Sequence, residues 1–180
     1  QLVEGQTKEV QFSFDTNHGT DDYLKIIEGK TASLIKTSAK LGAMASGCKQ
    51  ETISSISKWA WHSGIIFQIT DDILDLSSDE KTLGKPSGND IIEGTYTLPV
   101  LIALEKYPEK INKILSDISE NKVGVNEVIN EFNNDEIISE SKLFLKTHLE
   151  KSESAAKKID NKTVRNILLD INTYLIERSN

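Results

Sequence analysis

Hydrophobic residues recur at spacings of three and four along most of the chain, and the alternation typical of strands is almost absent. Such spacing is that of an amphipathic helix, which buries one face and leaves the other in solvent. Turn residues divide the pattern into separate stretches, so the sequence predicts an all-α protein. The predicted helices are residues 1–12, 22–47, 51–77, 90–106, 108–120, 125–132, 135–158 and 162–178.

Capping residues support several of these boundaries. Asp21 is placed to cap the second helix, and Pro108 fits the first turn of the fifth. Asn134 and Asn161 stand just before the last two helices, where we expect them to be the caps. Pro99 falls inside the fourth predicted helix and removes one backbone donor, so we expect a kink there.

Composition narrows the classes of partner. The 180 residues include 28 acidic and 21 basic side chains, which give a net charge of −7, and there is no basic stripe. This balance argues against a nucleic-acid partner. The single cysteine, Cys48, excludes an internal disulfide framework and suits a reducing, cytoplasmic compartment. No apolar run approaches the roughly eighteen residues of a membrane-spanning helix.

Three aspartates stand inside the otherwise apolar third helix, at Asp71, Asp72 and Asp75. On a helical wheel with about 100° per residue they fall on one narrow stripe together with Gln68. Like charges on a mostly buried helix repel one another and are costly to desolvate, so a positive group should compensate them. Mg²⁺ bound by carboxylates and shared with a phosphate is the natural candidate.

This helix and the loop after it resemble the second aspartate-rich motif of the trans-isoprenyl diphosphate synthases, the polyprenyl synthetase family. The family pattern is Phe-Gln-x-x-Asp-Asp-x-x-Asp, then Gly-Lys, then Asp, then Thr-x-Pro. The matching residues are Phe67, Gln68, Asp71, Asp72, Asp75, Gly84, Lys85, Asp90, Thr97 and Pro99. An isolated Asp-Asp-x-x-Asp has little specificity, whereas the whole ordered string is specific.

The resemblance implies a fold and a reaction. The fold is an isoprenoid-synthase-type helical bundle, of which residues 1–180 form the C-terminal part of a single domain. The reaction is the Mg²⁺-dependent condensation of an allylic diphosphate with isopentenyl diphosphate, which releases pyrophosphate. A homodimer or a heteromer is expected. Because the chain begins at Gln1 and shows no first aspartate-rich motif, we expect a partial chain that is inactive alone.

The resemblance also implies the site residues. The implied metal ligands are Asp71, Asp72 and Asp75, and the implied catalytic residues are Lys30, Thr31, Gln68 and Lys85. The two lysines and the Thr31 hydroxyl are implied to contact the departing diphosphate. Thr95 stands where many relatives have a further lysine, so no role is assigned to it.

Three expectations concern the surroundings of the site. We expect Asp71, Asp75 and Lys30 to mark the mouth of an apolar cavity between helices. Arg178, near the C-terminus, is expected to be an exposed terminal arginine. Apolar faces that include Ile65, Ile69 and Ile73 are expected to lack partners within this chain.

Two alternatives of other kinds stay open. A class I terpene cyclase would use the same ionisation without a second substrate, but its usual Asn/Asp-x-x-Ser/Thr-x-x-x-Glu motif is not found. A non-catalytic or regulatory synthase-like subunit is the other alternative, although such subunits commonly lose the aspartates that this chain keeps. His18, His62 and His148 show no metal-ligand spacing and indicate no zinc site.

Overall fold

The computed structural model describes residues 1–77 and 87–178, where all regular structure is helical, which confirms the all-α prediction. The helices are α1 (Leu2–Gln11), α2 (Thr20–Ile27), α3 (Ser33–Ala45), α4 (Gln50–Ser77), α5 (Asn89–Ile92), α6 (Leu98–Lys106), α7 (Pro108–Ser119), α8 (Val125–Val128), α9 (Asp135–Ala156) and α10 (Lys162–Glu177). A π-helical turn (Glu28–Ala32) joins α2 to α3, and a 3-10 turn (Ile129–Glu131) follows α8. None of the helices described is long and apolar enough to cross a bilayer.

Helix α4 is the centre of the fold. It packs against α3 and the π-helical turn, and also against α9 and α10. Gly64 permits the close approach to the π-helical turn, because a Cβ there would lie 2.7 Å from the Cα of Ala32. Ile65, Ile69 and Ile73 are at most 1% exposed. The expectation that these residues lack partners is therefore wrong, because the chain's own helices surround α4.

Apolar side chains do reach the surface, but on other helices. Leu34, Leu41 and Met44 are exposed along one side of α3. Ile167 and Tyr174 are exposed on α10, two turns apart. The helical period predicts that each helix has an apolar face, whereas only the packing of the helices decides which of these faces are exposed.

The fourth predicted helix is divided in two. Gly94 has a φ of +75° and Thr97 is extended, so α5 ends before α6 begins. Pro99 stands in the first turn of α6, where its missing N–H would have no helical partner. The proline therefore begins a helix instead of kinking one, which corrects the prediction.

The predicted caps have mixed outcomes. The side chains of Asn134 and Asn161 accept hydrogen bonds from the backbone N–H groups of Ile137 and Val164, each over 3.1 Å, as predicted. Pro108 is in the first turn of α7, also as predicted. Asp21 is not a cap, because α2 begins at Thr20 and Gly19 is its N-cap.

A buried cluster of neutral polar side chains lies where α4 crosses α9 and α10. Ser63 Oγ donates to Asn172 Oδ1 over 2.7 Å and lies 2.9 Å from Ser152 Oγ. Asn172 Nδ2 donates to Ser152 Oγ over 3.0 Å. We call Ser63, Ser152 and Asn172 the crossing cluster. Its polar atoms bond one another, so these buried groups are satisfied without water.

Candidate active site

A cavity of about 270 Å³ lies beside the C-terminal half of α4. Its walls come from α1, α2, the π-helical turn, α4 and the segment from α5 to α6. The lining residues are Glu9, Phe12, His18, Tyr23, Ile26, Ile27, Lys30, Gln68, Asp71, Asp72, Asp90, Glu93, Thr95, Tyr96 and Thr97. The lining is mostly polar, which corrects the expectation of an apolar one.

Lys30 reaches the cavity from the π-helical turn and is held there by an acid. Its Nζ lies 2.7 Å from both carboxylate oxygens of Glu9, which comes from α1. Helix α1 can approach this closely because Gly5 has no side chain: a Cβ there would lie 2.6 Å from the backbone nitrogen of Lys30. The sequence analysis missed Glu9, whose only signal was a small residue one helical turn before it.

Thr31 lies behind the cavity wall and does not line it. Its hydroxyl donates to Gln68 Oε1 over 2.7 Å. Gln68 Nε2 in turn donates to Asp72 Oδ1 over 2.9 Å. The resemblance implied that the Thr31 hydroxyl contacts a diphosphate, whereas in the structure its partner is the Gln68 amide.

Asp72 is buried and hydrogen-bonded on both carboxylate oxygens. Tyr23 Oη donates to Asp72 Oδ2 over 2.5 Å, and the other oxygen accepts from Gln68. Burial raises the pKa of Asp72 to about 7, although the bonds from Tyr23 and Gln68 act in the opposite direction. Burial and the neighbouring Asp72 together raise the pKa of Tyr23. The sequence analysis did not identify Tyr23, which is 49 residues away from Asp72.

Asp71 and Asp75 have different surroundings, although both belong to the predicted stripe. Asp71 is half-exposed at the cavity and lies 3.5 Å from the guanidinium of Arg178. Asp75 is buried and does not line the cavity; its backbone oxygen accepts from Ser87 Oγ and Gly88 N. Asp71 and Lys30 line the cavity as expected, whereas the expectation that Asp75 lies at its mouth is wrong.

Arg178 also departs from its expectation. Its guanidinium lies over the ring of Phe67, 5.6 Å from the centroid, as well as beside Asp71. Its side chain is 31% exposed, so it is partly buried against α4 and is not a free terminal arginine. An arginine so placed offsets part of the negative charge at the cavity.

Acidic residues of α5 and its C-cap complete the cavity. Asp90 and Glu93 line it, and the negative charge of Asp90 contributes to the raised pKa of Asp72. Thr95 lines the cavity as well, and its N–H donates to the backbone oxygen of Asp90 over 2.8 Å. Lys85 lies outside the described residues.

The donor set fits a magnesium ion that is shared with a ligand. Within the described ranges, no group of three or more Asp, Glu, His or Cys side chains converges to enclose a metal ion. Mg²⁺ is usually held by one or two carboxylates, with water and phosphate oxygens completing its shell. Asp71 and Asp72 line a cavity with Glu9 and Asp90. This arrangement suits a magnesium ion that a few carboxylates share with a phosphate ligand, and not an ion enclosed by protein side chains alone.

A larger groove, of about 700 Å³, lies between the N-terminal part of α4 and the C-terminal part of α9. Its lining includes Lys58, Lys151 and Lys158 together with Glu51 and Glu150. Asp71, Asp72 and Asp75 are not among its lining residues. Size alone therefore does not identify the site, which we place at the smaller cavity.

The chain belongs to the polyprenyl synthetase family, whose family model matches residues 1–135. A prenyl transferase from Synechocystis sp. is 41% identical over 107 residues, which are 59% of this chain and 33% of that protein. Heptaprenyl diphosphate synthase component 2 from Bacillus subtilis is 30% identical over 174 residues, which are 97% of this chain and 50% of that protein. The resemblance inferred from the motif is thereby confirmed.

The fold is similar to that of solved synthases. The crystal structure of heptaprenyl diphosphate synthase from Staphylococcus aureus matches with a TM-score of 0.89 and 30% identity. The match covers 99% of this chain and 57% of that one. The chain therefore spans between a third and a little over half of the length of these relatives.

Proposed function

We propose that this chain forms one wall of the active site of a Mg²⁺-dependent trans-prenyltransferase, which condenses an allylic diphosphate with isopentenyl diphosphate. The observation that supports this most is that Lys30, Gln68 and Asp71 line one cavity. A cation next to carboxylates suits a ligand that is itself an anion bound to a metal ion. The names of the relatives agree with a reaction of this kind.

In this proposal the residues have separate tasks. Lys30 binds the diphosphate as a point charge, and Lys85 is assigned the same task because of its place in the motif. Asp71 holds Mg²⁺ together with phosphate oxygens, and Asp72 borders the same cavity from its wall. Asp75, the third ligand that the resemblance implies, does not line the cavity and is left out of the ion's shell in this proposal. When bound, Mg²⁺ neutralises the diphosphate and makes pyrophosphate a better leaving group.

The electrostatic state of the cavity explains why ligand and metal should bind together. Glu9 neutralises Lys30, and Arg178 lies beside Asp71, so Lys30 and Asp71 each already have a partner of opposite charge. A metal–diphosphate complex offers an anion to Lys30 and a cation to Asp71 at the same time. Binding of Mg²⁺ should therefore be weak alone and tighter with pyrophosphate.

Because residues 1–180 are expected to be inactive alone, the test uses the whole protein of which they are a part, here called the native protein. Its incubation with Mg²⁺, an allylic diphosphate and radiolabelled isopentenyl diphosphate tests the proposal. We expect the label to appear in a longer prenyl diphosphate. Binding of Mg²⁺–pyrophosphate without elongation would instead indicate the non-catalytic subunit. A hydrocarbon product formed without isopentenyl diphosphate would indicate the terpene cyclase, and absence of both binding and turnover would reject all three.

We further infer a cytoplasmic enzyme that works as a homodimer or as part of a heteromer. The exposed apolar faces of α3 and α10 support assembly, because contiguous apolar surface favours association. Sedimentation of the native protein tests this inference. A monomer at all concentrations would contradict it.

A further inference from the structure

The larger groove, between the start of α4 and the end of α9, has a positively charged lining in a chain whose net charge is −7. Lys58 lines it from α4, and Lys151 and Lys158 line it from α9 and the residues just after that helix. Two carboxylates, of Glu51 and Glu150, share this lining. The cavity at the other end of α4 has the opposite balance, because one lysine lines it with five acidic residues. The two ends of α4 therefore suit ligands of different charge.

The three lysines of the groove keep their hydrogen-bond donors for a ligand. In the part of the chain that the structure describes, none of them forms an ion pair. Lys157, the neighbour of Lys158, is by contrast paired with Glu153 over 2.8 Å. The charge of Lys151 also acts within the groove: burial and then Lys151 lower the pKa of His62, which lines the same surface. The groove is therefore a region of positive potential.

Ser55, on the floor of the groove, is a buried serine without a hydrogen-bond partner. It is 8% exposed, and its oxygen is not fully enclosed by protein, so it opens into the groove that it lines. Other buried serines donate to the carbonyl one helical turn earlier, as Ser57 does to Ile53 over 2.7 Å and Ser141 does to Ile137 over 2.9 Å. No hydrogen bond from the described residues engages the Ser55 hydroxyl. Because buried polar groups are normally satisfied, this hydroxyl is a donor that a bound ligand can use.

We propose that the groove between α4 and α9 is a second binding site, for a small molecule that carries a phosphate group. A phosphate has several acceptor oxygens and up to two negative charges, which match the three ammonium groups and the Ser55 hydroxyl. A carboxylate, with two oxygens and one charge, would leave some of these donors without a partner. Ser54 and Ser154 add two exposed hydroxyls to the lining. The proposal does not rest on the function proposed above, since the groove and the cavity share no lining residue.

The acidic residues of the groove limit the charge of the ligand. Glu51 and Glu150 are both exposed, so they stand at the edge of the groove and reduce its net positive charge. They would repel the outer charges of a longer chain of phosphates. The balance of charges therefore favours a ligand with a single phosphate group.

Titration of the native protein with inorganic phosphate in EDTA tests the proposal, with broadening of the ³¹P line as the readout. EDTA removes divalent cations, so the cavity is not offered a metal–phosphate complex. We expect saturable binding, which Lys58→Met and Lys151→Met should each weaken about tenfold, the usual order for a charged hydrogen bond. Ser55→Ala should weaken it about fivefold, the order for a neutral one. Acetate should compete poorly.

Matched controls separate a ligand contact from a structural role. Lys157→Met removes a lysine that is paired with Glu153 and does not line the groove, and should leave phosphate binding unchanged. Ser141→Ala removes a buried hydroxyl that bonds its own helix, so it should lower the midpoint of unfolding and leave binding unchanged. Ser55→Ala should do the reverse, because its hydroxyl bonds no described protein group.

Each contrary result has a definite meaning. Absence of saturable phosphate binding by the unmodified protein would reject the site. Weaker binding by Lys30→Ala, with native binding by the groove variants, would place the ion in the cavity and also reject it. An effect of the lysine variants without an effect of Ser55→Ala would leave the ion at the edge of the groove and reject the pocket. Equal competition by acetate would reject phosphate as the ligand class. Failure of the elongation assay would leave all of these results unaffected, so the two proposals are tested separately.

Discussion

Helix α4 carries two buried polar clusters that differ in charge and in access to solvent. The first, formed by Tyr23, Asp72, Gln68 and Thr31, contains a carboxyl group and borders the cavity. The crossing cluster, two turns earlier, consists of neutral groups that bond one another. Burial of polar groups therefore does not by itself identify a functional site. A buried titratable group with a shifted pKa beside a cavity does so more specifically.

The histidines near the crossing cluster illustrate the same contrast. His62 and His148 are half-buried, and their Nδ1 atoms lie 3.1 Å apart. Burial, the neighbouring imidazole and Lys151 lower the pKa of His148 to about 4. Burial and Lys151 also lower the pKa of His62. The lowered pKa values keep both rings neutral at pH 7, and the rings contact each other. They therefore connect α4 to α9, and we assign them no catalytic role.

The largest expected effect is a loss of turnover at the cavity end of α4. Asp71→Ala should lower turnover by on the order of 10²-fold or more, the usual loss for a transition-state electrostatic contact. The fold should survive, because Asp71 is half-exposed. Steady-state kinetics of the native protein and the variant measure this, with Asp21→Ala on α2 as the control. Near-normal turnover of the Asp71 variant would remove the residue from the site.

A loss of stability without a loss of binding is expected at the crossing cluster. Asn172→Ala should lower the free energy of unfolding by about 2 kcal/mol, because it leaves Ser63 and Ser152 buried without their amide partner. Denaturant unfolding measures this, and Asn166→Ala on the exposed side of the same helix should have little effect. Weaker pyrophosphate binding by the folded Asn172 variant would contradict the distinction between the clusters.

Lys30 and Lys36 should differ because only Lys30 lines the cavity. Lys30→Ala should weaken use of the allylic diphosphate about tenfold, since a charged contact is stronger than a neutral one. Lys85→Ala should act in the same direction. Lys36 lies over the ring of Trp61, 4.8 Å from its centroid, so Lys36→Ala should leave the kinetics unchanged. Equal kinetics for all three variants would show that the assignment of the lysines is wrong.

The smallest effect concerns pH and the histidine pair. The pKa of each folded histidine lies below its unfolded value, so the unfolded chain binds protons first as the pH falls. The associated stability is present above pH 6.5 and is lost as the pH falls towards 4. The loss should be about 1 kcal/mol, since both rings are partly exposed and solvent screens them.

Unfolding curves between pH 7 and pH 4 measure this loss. Carboxylates contribute their own pH dependence, so the informative quantity is the difference between the native protein and His148→Gln. The variant should lose less stability on acidification, because one of the two suppressed titrations has been removed. Parallel curves for the two proteins would contradict the role of the pair.

The all-α fold and the membership of Gln68, Asp71 and Asp72 in one motif could be predicted from the sequence. The helical period and the caps Asn134 and Asn161 are local signals, since they depend on residues within a turn or two. The motif placed its residues on one helix at known angles. Local signals were wrong at Asp21 and Pro99, where neighbouring positions satisfied the same rules equally well.

Only the tertiary structure decided which side chains meet. Tyr23 and Asp72 are 49 residues apart in sequence, Lys30 and Glu9 are 21 apart, and Arg178 and Asp71 are 107 apart. A helical wheel gives the angles between the aspartates but not the helix that each one faces. The burial of Asp75 and the exposure of Asp71 follow from the packing of distant segments around α4, which the local period of the sequence does not encode.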